Sequence, residues 1–256
     1  MSGPFDRLDL GGRVIVVTGA SGGIGSETVR LLAARGAAVV LADMNAPAAR
    51  ALVDDVQAHG GKAAFIRTDV SDEASVKAMV DFAVHTFGGL HGAFNNAGVD
   101  TGHQPAADEP LENWRRNLDV NLTGVFLCMK HEIPHLLASG GGAIVNTSSA
   151  AGAVAMENAA AYISAKHGVV GLTRSAAVDY GRKGVRINAV LPGSVLTPML
   201  EEALKDPVTR DFVEQGHLLG VGMPWQIAET VAFLLSDAAG FITGAAILAD
   251  GGYTVR

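Results

Sequence analysis

Residues 18–25 are the feature that most constrains the fold, because they form a glycine-rich turn, TGASGGIG, between a predicted strand and a predicted helix. The β-branched run at 13–18 indicates the strand, and apolar residues at helical spacing over 24–35 indicate the helix. Glycines tolerate positive φ and let a ligand approach the backbone, and a helix start offers free N–H groups to a phosphate. The turn therefore predicts a dinucleotide site. Its G-x-x-x-G-x-G spacing is not the usual G-x-G-x-x-G, so a tight turn without a ligand stays open at this point.

A carboxylate follows the second predicted strand. Residues 37–42 (AAVVLA) indicate this strand, and Asp43 ends it. A carboxylate at this place can accept hydrogen bonds from the adenosine ribose and would repel a 2′-phosphate. No neighbouring residue in the sequence offers a cation to hold such a phosphate, so Asp43 predicts NAD rather than NADP. The alternative is an ordinary strand-end Asp that begins a turn.

Tyr162 and Lys166 form the second informative pair, four residues apart in a segment predicted to be helical. This spacing places both side chains on one helix face. A free tyrosine titrates at about pH 10 and is a poor base at neutrality. A nearby ammonium favours the phenolate and lowers the tyrosine pKa, so that the phenol can take a proton from an alcohol. The pair predicts proton transfer beside the dinucleotide.

Strand-like and helix-like segments alternate along the whole chain. The other predicted strands lie at 63–68, 92–95, 143–148, 185–191 and 245–249, and the other predicted helices at 47–58, 72–87, 111–138, 160–181 and 224–236. This alternation predicts an α/β fold with a parallel, doubly wound sheet. Because no linker or repeat divides the chain, residues 1–256 are expected to form a single dinucleotide-binding and catalytic domain, with a functional loop at about 193–223.

In identity, order and spacing, these motifs resemble the short-chain dehydrogenase/reductase family. The likeness rests on residues 18–25, Asn95–Gly98 (NNAG), Asn121, Ser149, Tyr162-x-x-x-Lys166 and Pro192-Gly193. It covers about Leu10 to Thr254 and implies one Rossmann-type domain with a seven-stranded parallel sheet. It also implies an enzyme that interconverts a secondary alcohol and its ketone with NAD. The stretches FGGLHGAFNNAG, VNLTGVFLCMKHEI and IVNTSSAAG are similar to a subgroup that oxidises cyclic alcohols and cyclohexadiene diols.

The resemblance implies roles for four catalytic positions. Tyr162 would be the acid/base, and Lys166 would hold the nicotinamide ribose and lower the Tyr162 pKa. Ser149 would orient the substrate oxygen, and its neighbour Ser148 fits the spacing less well. Asn121 would fix a water that links Lys166 to solvent. Taken alone, a Ser or Asn is more often a cap or a turn residue.

The resemblance also implies a set of cofactor contacts at the carboxyl ends of the strands. They are Gly19, Ser21, Gly23, Ile24, Gly25, Asp43, Asp69, Val70, Asn95, Ala97, Gly98, Tyr162, Lys166, Pro192, Gly193, Val195 and Thr197. Asp69 and Val70 would touch the adenine. Asn95 and Gly98 would support the central strand and the cofactor, and Thr197 would meet the nicotinamide carboxamide.

Residues 131–135 (HEIPH) match the H-E-x-x-H pattern of zinc proteases. That chemistry needs both histidines on one regular helical face. Pro134 lacks an N–H, and its ring clashes with the carbonyl of Lys130. We interpret the segment as a kinked, solvated helix end with His131 and His135 at the surface, and we predict no metal site.

Composition narrows the possible partners. Net charge is −7 without a basic cluster, which argues against nucleic acid. No apolar stretch reaches the roughly 18 residues of a membrane span, and the N-terminus lacks signal-peptide character. Cys128 is the single cysteine and lies in an apolar run, where a core position is expected. These features predict a cytoplasmic protein with a small-molecule substrate and no membrane partner.

The segment after Pro192 is expected to line the substrate pocket. Its apolar residues are Val195, Leu196, Met199, Leu200, Leu204, Phe212, Val213, Leu218 and Leu219. They predict an apolar, cyclic secondary alcohol as substrate. A polyol or sugar alcohol is the alternative, for which polar groups at 100–104 (DTGHQ) are available. A non-catalytic NAD-binding sensor is a further alternative, and the four intact catalytic positions argue against it.

The long predicted helices at 111–138 and 160–181 carry more apolar positions than one sheet face can cover. These positions are Leu118, Val120, Val125, Phe126, Leu127, Met129, Val169, Val170, Leu172, Ala176 and Ala177. Surplus apolar surface predicts an interface. The family resemblance points to the same helices and to the C-terminal segment, so a homotetramer is expected.

Overall fold

Seven parallel strands form one sheet in the computed structural model, which describes residues 6–255 and gives the backbone alone at residues 6, 199, 203, 208, 209, 212 and 214. The strands are β1 Val14–Thr18, β2 Ala38–Asp43, β3 Lys62–Arg67, β4 Gly92–Asn95, β5 Gly142–Thr147, β6 Val185–Pro192 and β7 Ala246–Ala249. Their order across the sheet is β3-β2-β1-β4-β5-β6-β7, and each neighbouring pair is parallel. The predicted fold class, a doubly wound Rossmann-type α/β domain with a seven-stranded parallel sheet, is confirmed.

Helices connect the strands and cover the sheet. They are α1 Gly23–Ala34, α2 Ala46–Ala58, α3 Glu73–Phe87, α4 Leu111–Leu118, α5 Gly124–Ala138, α6 Ala160–Tyr180, α7 Pro198–Ala203, α8 Pro207–Gly216 and α9 Pro224–Leu235. A π-helical turn, Asp119–Thr123, joins α4 to α5. The prediction of one continuous helix over 111–138 is therefore wrong at this turn, and turns of this kind are frequent at functional sites.

The two faces of the sheet bury separate cores. Along β1, Ile15 and Val17 pack into the core that α1, α2 and α9 share, whereas Val14 and Val16 pack into the core of α3, α5 and α6. This division follows from the alternation of side chains along a strand. It explains the apolar character of β1 at every position, because a parallel strand is covered on both faces.

The order of the strands reverses beside β1. The chain adds β2 and β3 on one side of β1, and β4 then pairs with the other side, with Val17 opposite Phe94. A crevice opens at the carboxyl ends of the strands at such a switch point, and ligands bind there in open α/β sheets. The topology therefore places the turn after β1 and the NNAG segment after β4 at the same crevice.

The predicted strand ends agree with the observed ones to within one residue. The expectation of a loop over 193–223 is only partly correct. This segment contains the short helices α7 and α8, and an isolated parallel bridge between Val195 and Gly222 ties its two ends together. The segment is therefore an ordered insertion beside the crevice.

Most of the apolar positions expected to be surplus on the long helices are buried within the chain. Val125, Leu127 and Val169 belong to the core between the sheet and helices α3, α5 and α6, whereas Phe126 is 48% exposed. The prediction of a large surplus on these helices is wrong, because α4 and α5 also pack against α6 and α3 respectively. None of the helices within residues 6–255 combines the length and the apolar character needed to cross a membrane.

Candidate active site

The turn between β1 and α1 is shaped to receive an anion. Gly19 has φ +60°, and a Cβ there would lie 2.9 Å from Ala97 Cα, while a Cβ on Gly25 would lie 2.1 Å from the Gly19 carbonyl oxygen. Both positions thus require glycine for the turn to close. Helix α1 begins at Gly23, and its N-cap, Gly22, supplies no side-chain hydrogen bond. The first N–H groups of the helix therefore remain available to a phosphate.

A cavity of about 370 Å³ lies beside this turn, at the ends of β1, β2 and β4. Its lining includes seven residues that the sequence assigned to the cofactor: Gly19, Ser21, Asp43, Asp69, Val70, Ala97 and Gly98. Backbone amides fix the Asp43 carboxylate, because Ser21 N donates to Oδ2 and Asn45 N donates to Oδ1, both at 2.8 Å. The carboxylate is thus held at the place predicted for a ribose partner.

Arg116 of α4 also lines this cavity. The expectation that no arginine or lysine lies near Asp43 is therefore wrong, because α4 is distant in sequence and returns to the crevice only in the fold. Asp69 lies in the same cavity, and the Ser71 hydroxyl and amide, at 2.7 and 3.0 Å, lower the pKa of its carboxyl. The charges of Arg67 and Arg116 add to that effect.

A second cavity, of about 310 Å³, continues the first one toward α6. The two cavities share Asn96, Gly98 and Val99, so they form one trough. The second cavity is lined by these residues expected to be catalytic or to hold the nicotinamide: Ser149, Tyr162, Lys166, Ile24, Pro192, Gly193, Val195 and Thr197. Residues that are far apart in sequence thus meet in a single groove long enough to run from Asp43 to Tyr162.

Tyr162 and Ser149 both line the second cavity, and the Ser149 hydroxyl is near enough to favour the Tyr162 phenolate. Burial raises the pKa of Tyr162 to about 12, the Ser149 hydrogen bond lowers it in part, and the Asp100 charge raises it further. The expectation of a lowered Tyr162 pKa is therefore not met by the side chains of the chain. The physical reason is desolvation, which penalises a buried phenolate more than the nearby groups favour it.

Lys166 lies beside the tyrosine, with Nζ at 5.5 Å from the centre of the Tyr162 ring. The ammonium is buried and donates to the Thr147 carbonyl at 3.0 Å. Burial lowers the Lys166 pKa to about 8, and the Asp100 charge raises it in part. A lysine has three N–H donors, and in the described part of the chain Thr147 is the one acceptor of this ammonium. Two donors therefore remain to meet hydroxyl groups of a ligand.

The adjacent residues Ser148 and Ser149 make different contacts. Ser148 is buried, and its hydroxyl donates to the Lys166 carbonyl at 2.8 Å, which anchors α6 to the end of β5. Ser149 lines the cavity together with Tyr162, and its hydroxyl accepts from Ala151 N at 3.1 Å. The geometry thus favours the serine that the spacing indicated.

Asn121 lies in the π-helical turn and lines neither cavity. Its Oδ1 accepts from Val99 N at 2.9 Å, and its Nδ2 donates to the Val99 carbonyl at 2.7 Å and to Asn117 Oδ1 at 3.2 Å. A Cβ on Gly98 would lie 2.9 Å from Asn121 Oδ1. The side chain of Asn121 therefore clamps the backbone that follows the NNAG segment.

Asn95 also lies outside both cavities, contrary to its expected cofactor contact. Its buried Nδ2 donates to Glu132 Oε2 and to Asn146 Oδ1, both at 3.0 Å. Asn96 lines both cavities instead, and its Nδ2 donates to the carbonyls of Thr18 and Gly19 at 3.2 Å. Adjacent residues of a strand end face opposite ways, a signal by which Asn96 could have been found. Gly23 and Gly25 likewise line neither cavity, because they serve the turn and the helix start.

The HEIPH segment is not a solvated helix end. Pro134 lies within α5 and is exposed, but Glu132 is fully buried, with Oε2 bonded to Asn95 and Oε1 without a partner. His131 faces Glu73 of α3, with Nε2 at 3.1 Å from Oε1. The glutamate and this histidine therefore point to different surroundings. Among the described residues, no three His, Cys, Asp or Glu side chains are placed to hold a metal.

The apolar residues of segment 193–223 do not share one environment. Val195 and Leu200 line the second cavity. Leu218 and Leu219 are 63% and 87% exposed, so their expected contact with substrate is not met. The side chains of Met199 and Phe212 lie outside the described residues. Asp100, which the sequence offered only for a polyol, reaches the cavity beside Tyr162.

A trough at the switch point of a parallel sheet, with glycines at one end and a tyrosine, a serine and a lysine at the other, is typical of nicotinamide-dependent oxidoreductases. The fold and the site together therefore define that class of protein. The comparisons with known proteins place the chain more narrowly.

The family model described as enoyl-(acyl carrier protein) reductase matches residues 19–254. Cyclohexanol dehydrogenase of Acinetobacter sp. (strain SE19) is 46% identical over 244 residues, which are 95% of this chain and 96% of that protein. The 2,5-dichloro-2,5-cyclohexadiene-1,4-diol dehydrogenase of Sphingobium indicum is 48% identical over 249 residues, with 96% and 98% covered. The crystal structure of levodione reductase matches with a TM-score of 0.92 at 37% identity, over 96% of this chain and 99% of that one. The chain belongs to the short-chain dehydrogenase/reductase family and is an oxidoreductase, as the motifs predicted.

Proposed function

We propose that the protein uses NAD to interconvert a neutral, cyclic secondary alcohol and its ketone. One observation carries the proposal: Tyr162, Ser149 and Lys166 line a cavity that continues into the cavity of Asp43. The relatives named for cyclohexanol and for a cyclohexadiene diol support a cyclic substrate. The whole chain then acts as one cofactor-binding and catalytic domain, with segment 193–223 closing the substrate side.

The reacting end of the trough would work through three side chains. A bound nicotinamide supplies the hydride acceptor for alcohol oxidation and the donor for ketone reduction. The Tyr162 phenol exchanges a proton with the substrate oxygen, and the Ser149 hydroxyl orients that oxygen. A Tyr162 pKa of about 12 keeps the phenol protonated at neutral pH and suits ketone reduction. For oxidation, the Lys166 ammonium, 5.5 Å from the centre of the Tyr162 ring, would favour the phenolate.

Asn121 would act through the backbone and not on the reacting atoms. Its side chain clamps Val99, and it lies in the widened π-helical turn. We therefore assign it as a positioning residue.

The preference for NAD rests on Asp43. Its carboxylate is fixed by two backbone amides and faces the cavity where an adenosine ribose would lie. A 2′-phosphate there would meet the like charge of this carboxylate. Arg116 lines the same cavity and weakens the discrimination, but its charge acts on Asp69. Asn96, Gly98 and the N–H groups at the start of α1 complete the proposed cofactor set.

The polyol alternative is less well supported by the pocket. A polyol needs several polar partners, yet of the polar residues at 100–104, Asp100 alone lines the cavity. Thr101 is engaged by Asn117, and Gln104 is exposed and bridges to the backbone of Ala159. A non-catalytic sensor would not need Ser149, Tyr162 and Lys166 together in one cavity.

A substrate panel tests the proposal. Cyclohexanol, a cyclohexanediol, sorbitol and a linear secondary alcohol would be offered with NAD, and reduced cofactor followed by absorbance. We expect the cyclic alcohols to have the highest kcat/KM. A tenfold advantage for sorbitol would move the function to the polyol class, and NAD binding without turnover of any alcohol or ketone would favour the sensor.

We also propose that the protein is a cytoplasmic homotetramer. The support differs from the sequence argument, because the large exposed apolar side chains include Trp225 of α9, Phe241 and Leu248 of the edge strand β7. Phe126 of α5 adds a second patch. Exposed apolar groups near an edge strand are typical of interfaces. Light scattering at micromolar concentration should give four times the chain mass of 26.3 kDa, and a monomer would contradict the proposal.

A further inference from the structure

We propose that Asp100 selects the substrate by accepting a hydrogen bond from a second hydroxyl on the ring, so that the preferred substrates are neutral cyclic diols. This inference rests on the proposed function and sharpens it. It concerns the substrate end of the trough. Proton transfer at Tyr162 requires one oxygen of the substrate and does not determine which other groups the substrate ring carries.

Asp100 lies close to the reacting groups. It lines the cavity together with Tyr162, Ser149 and Lys166. Its negative charge acts on two of these residues, since it raises the pKa values of Tyr162 and Lys166. A substrate whose first oxygen meets Tyr162 therefore brings its ring against this carboxylate.

The backbone holds Asp100 in place on both sides. Asn121 makes two hydrogen bonds with the backbone of the preceding residue, Val99. Asn117 donates to both the carbonyl and the hydroxyl of the following residue, Thr101, at 3.0 and 2.8 Å. The side chain is thus presented from a fixed turn, which is the condition for recognising one substrate group at a defined place.

The Asp100 carboxylate keeps an acceptor free. Its Oδ2 lies 3.4 Å from His103 Nε2 on the solvent side, where His103 is exposed. No side chain or amide of the described residues donates to Oδ1. The carboxylate is 29% exposed, and burial raises its pKa. A half-buried carboxylate without its full set of donors gains from a ligand hydroxyl.

The surroundings favour a neutral donor over an anion. Glu109 lies near enough for its charge to raise the Asp100 pKa, and both of its buried oxygens lack hydrogen-bond partners. Within the part of the chain that the structure describes, Lys166 is the one lysine or arginine in the lining of this cavity, and its ammonium donates to the Thr147 carbonyl. A carboxylate on the substrate ring would therefore meet like charge, whereas a hydroxyl can donate to Asp100.

The cavity offers a substrate ring one carboxylate acceptor. Among the described residues, Asp100 is the one aspartate or glutamate in its lining, and Val99, Val195 and Leu200 supply apolar groups to the same lining. A charged acceptor makes a stronger hydrogen bond with a hydroxyl than a neutral acceptor does. A ring with a second hydroxyl that reaches Asp100 is therefore distinguished from a ring without one.

The test uses the full-length protein with NAD and three probes: cyclohexanol, cyclohexane-1,4-diol and cis-4-hydroxycyclohexanecarboxylate. For the wild type, we expect kcat/KM to be about 10-fold or more higher for the diol than for cyclohexanol, and lowest for the carboxylate. Asp100→Leu should lower the diol-to-cyclohexanol ratio by about 10- to 100-fold. The loss should lie mainly in the KM for the diol, since the contact is made before and during the reaction.

Two further variants complete the design. Asp100→Asn keeps the shape of the side chain and removes its charge. It should raise kcat/KM for the carboxylate probe relative to kcat/KM for cyclohexanol. Asp108→Asn removes an exposed carboxylate of the same segment and should leave all three ratios as in the wild type. Thermal unfolding of each variant checks that the fold is retained.

The outcomes separate the two proposals. A diol-to-cyclohexanol ratio that is near one in the wild type, or that Asp100→Leu leaves unchanged, would overturn the role of Asp100 while the cyclic-alcohol function stands. An equal loss on every probe would also overturn it, since Asp100 would then act on the reacting pair. A folded wild type that binds NAD but oxidises none of the probes would overturn both proposals.

Discussion

The two ends of the trough are built by different means. The cofactor end consists of short turns at strand ends. Glycines let the first turn close, and backbone amides fix the Asp43 carboxylate. The substrate end consists of side chains from the segment after Val99 and from α7, which the sheet does not place directly. The comparison teaches that the strand ends position the cofactor end directly, whereas the substrate end is positioned by segments that lie outside the sheet.

The reacting group at the junction of the two ends gives the largest expected effect. Tyr162→Phe should lower kcat by about 10²- to 10⁴-fold, because positioned proton transfer is lost. NADH binding, followed by cofactor fluorescence, should change little if the cofactor end is independent of this phenol. Tyr180→Phe, at the far end of α6, is the matched control. Near wild-type turnover in Tyr162→Phe would contradict the proposed mechanism.

The next largest effect is expected from Glu132, a buried carboxyl group of α5, and concerns the stability of the fold. Burial raises the Glu132 pKa from 4.5 to about 7. The folded protein therefore binds more protons than the unfolded chain between these values, and stability falls as pH rises from about 4.5 to 7. The expected loss is about 3 kcal/mol.

Glu132→Gln tests this prediction without removing volume. Its amide would still meet Asn95, whose Oδ1 lacks a partner, and it does not titrate. The wild type should lose stability between pH 5 and pH 7.5 in urea unfolding, and the variant should lose much less of it. The same pH dependence in both proteins would show that other groups cause it.

The cofactor end can be broken separately at Asp43. Asp43→Asn should raise the NADP-to-NAD ratio of kcat/KM by about 10- to 100-fold, because a like charge beside the 2′-phosphate is removed. Asp54→Asn, on the exposed side of α2, is the control. The preference for cyclohexanol over other alcohols should be the same in wild type and variant. A change in that preference would mean that the two ends are coupled.

The smallest effect is expected within the substrate end. Leu200→Ala should lower kcat/KM for cyclohexanol by about 10-fold, since it removes apolar contact with the ring at about 25 cal/mol per Å². Leu219→Ala should change it by less than about twofold, because this side chain is exposed and lines neither cavity. Equal effects of the two variants would show that segment 193–223 closes over the substrate in another arrangement.

Much of the cofactor end could be predicted from local sequence. Gly19 and Gly25 are needed by the turn itself, and β-branched runs such as 13–18 mark strands that are covered on both faces. The spacing of Tyr162 and Lys166 was enough to place them on one helix face. These features depend on residues that are close together along the chain, so the sequence pattern alone predicts them.

The tertiary structure decided the features that depend on distant partners. Asn95 turns into the core toward Glu132, while Asn96 faces the trough, and only the packing of α5 against β4 shows why. The Tyr162 pKa is raised because desolvation outweighs the favourable effect of the Ser149 hydroxyl, although the sequence placed a lysine beside it. Asp100 became a candidate for substrate recognition once the fold brought it to the same cavity. Burial and long-range contacts set the direction and charge of these side chains, and neither can be read from the spacing of residues.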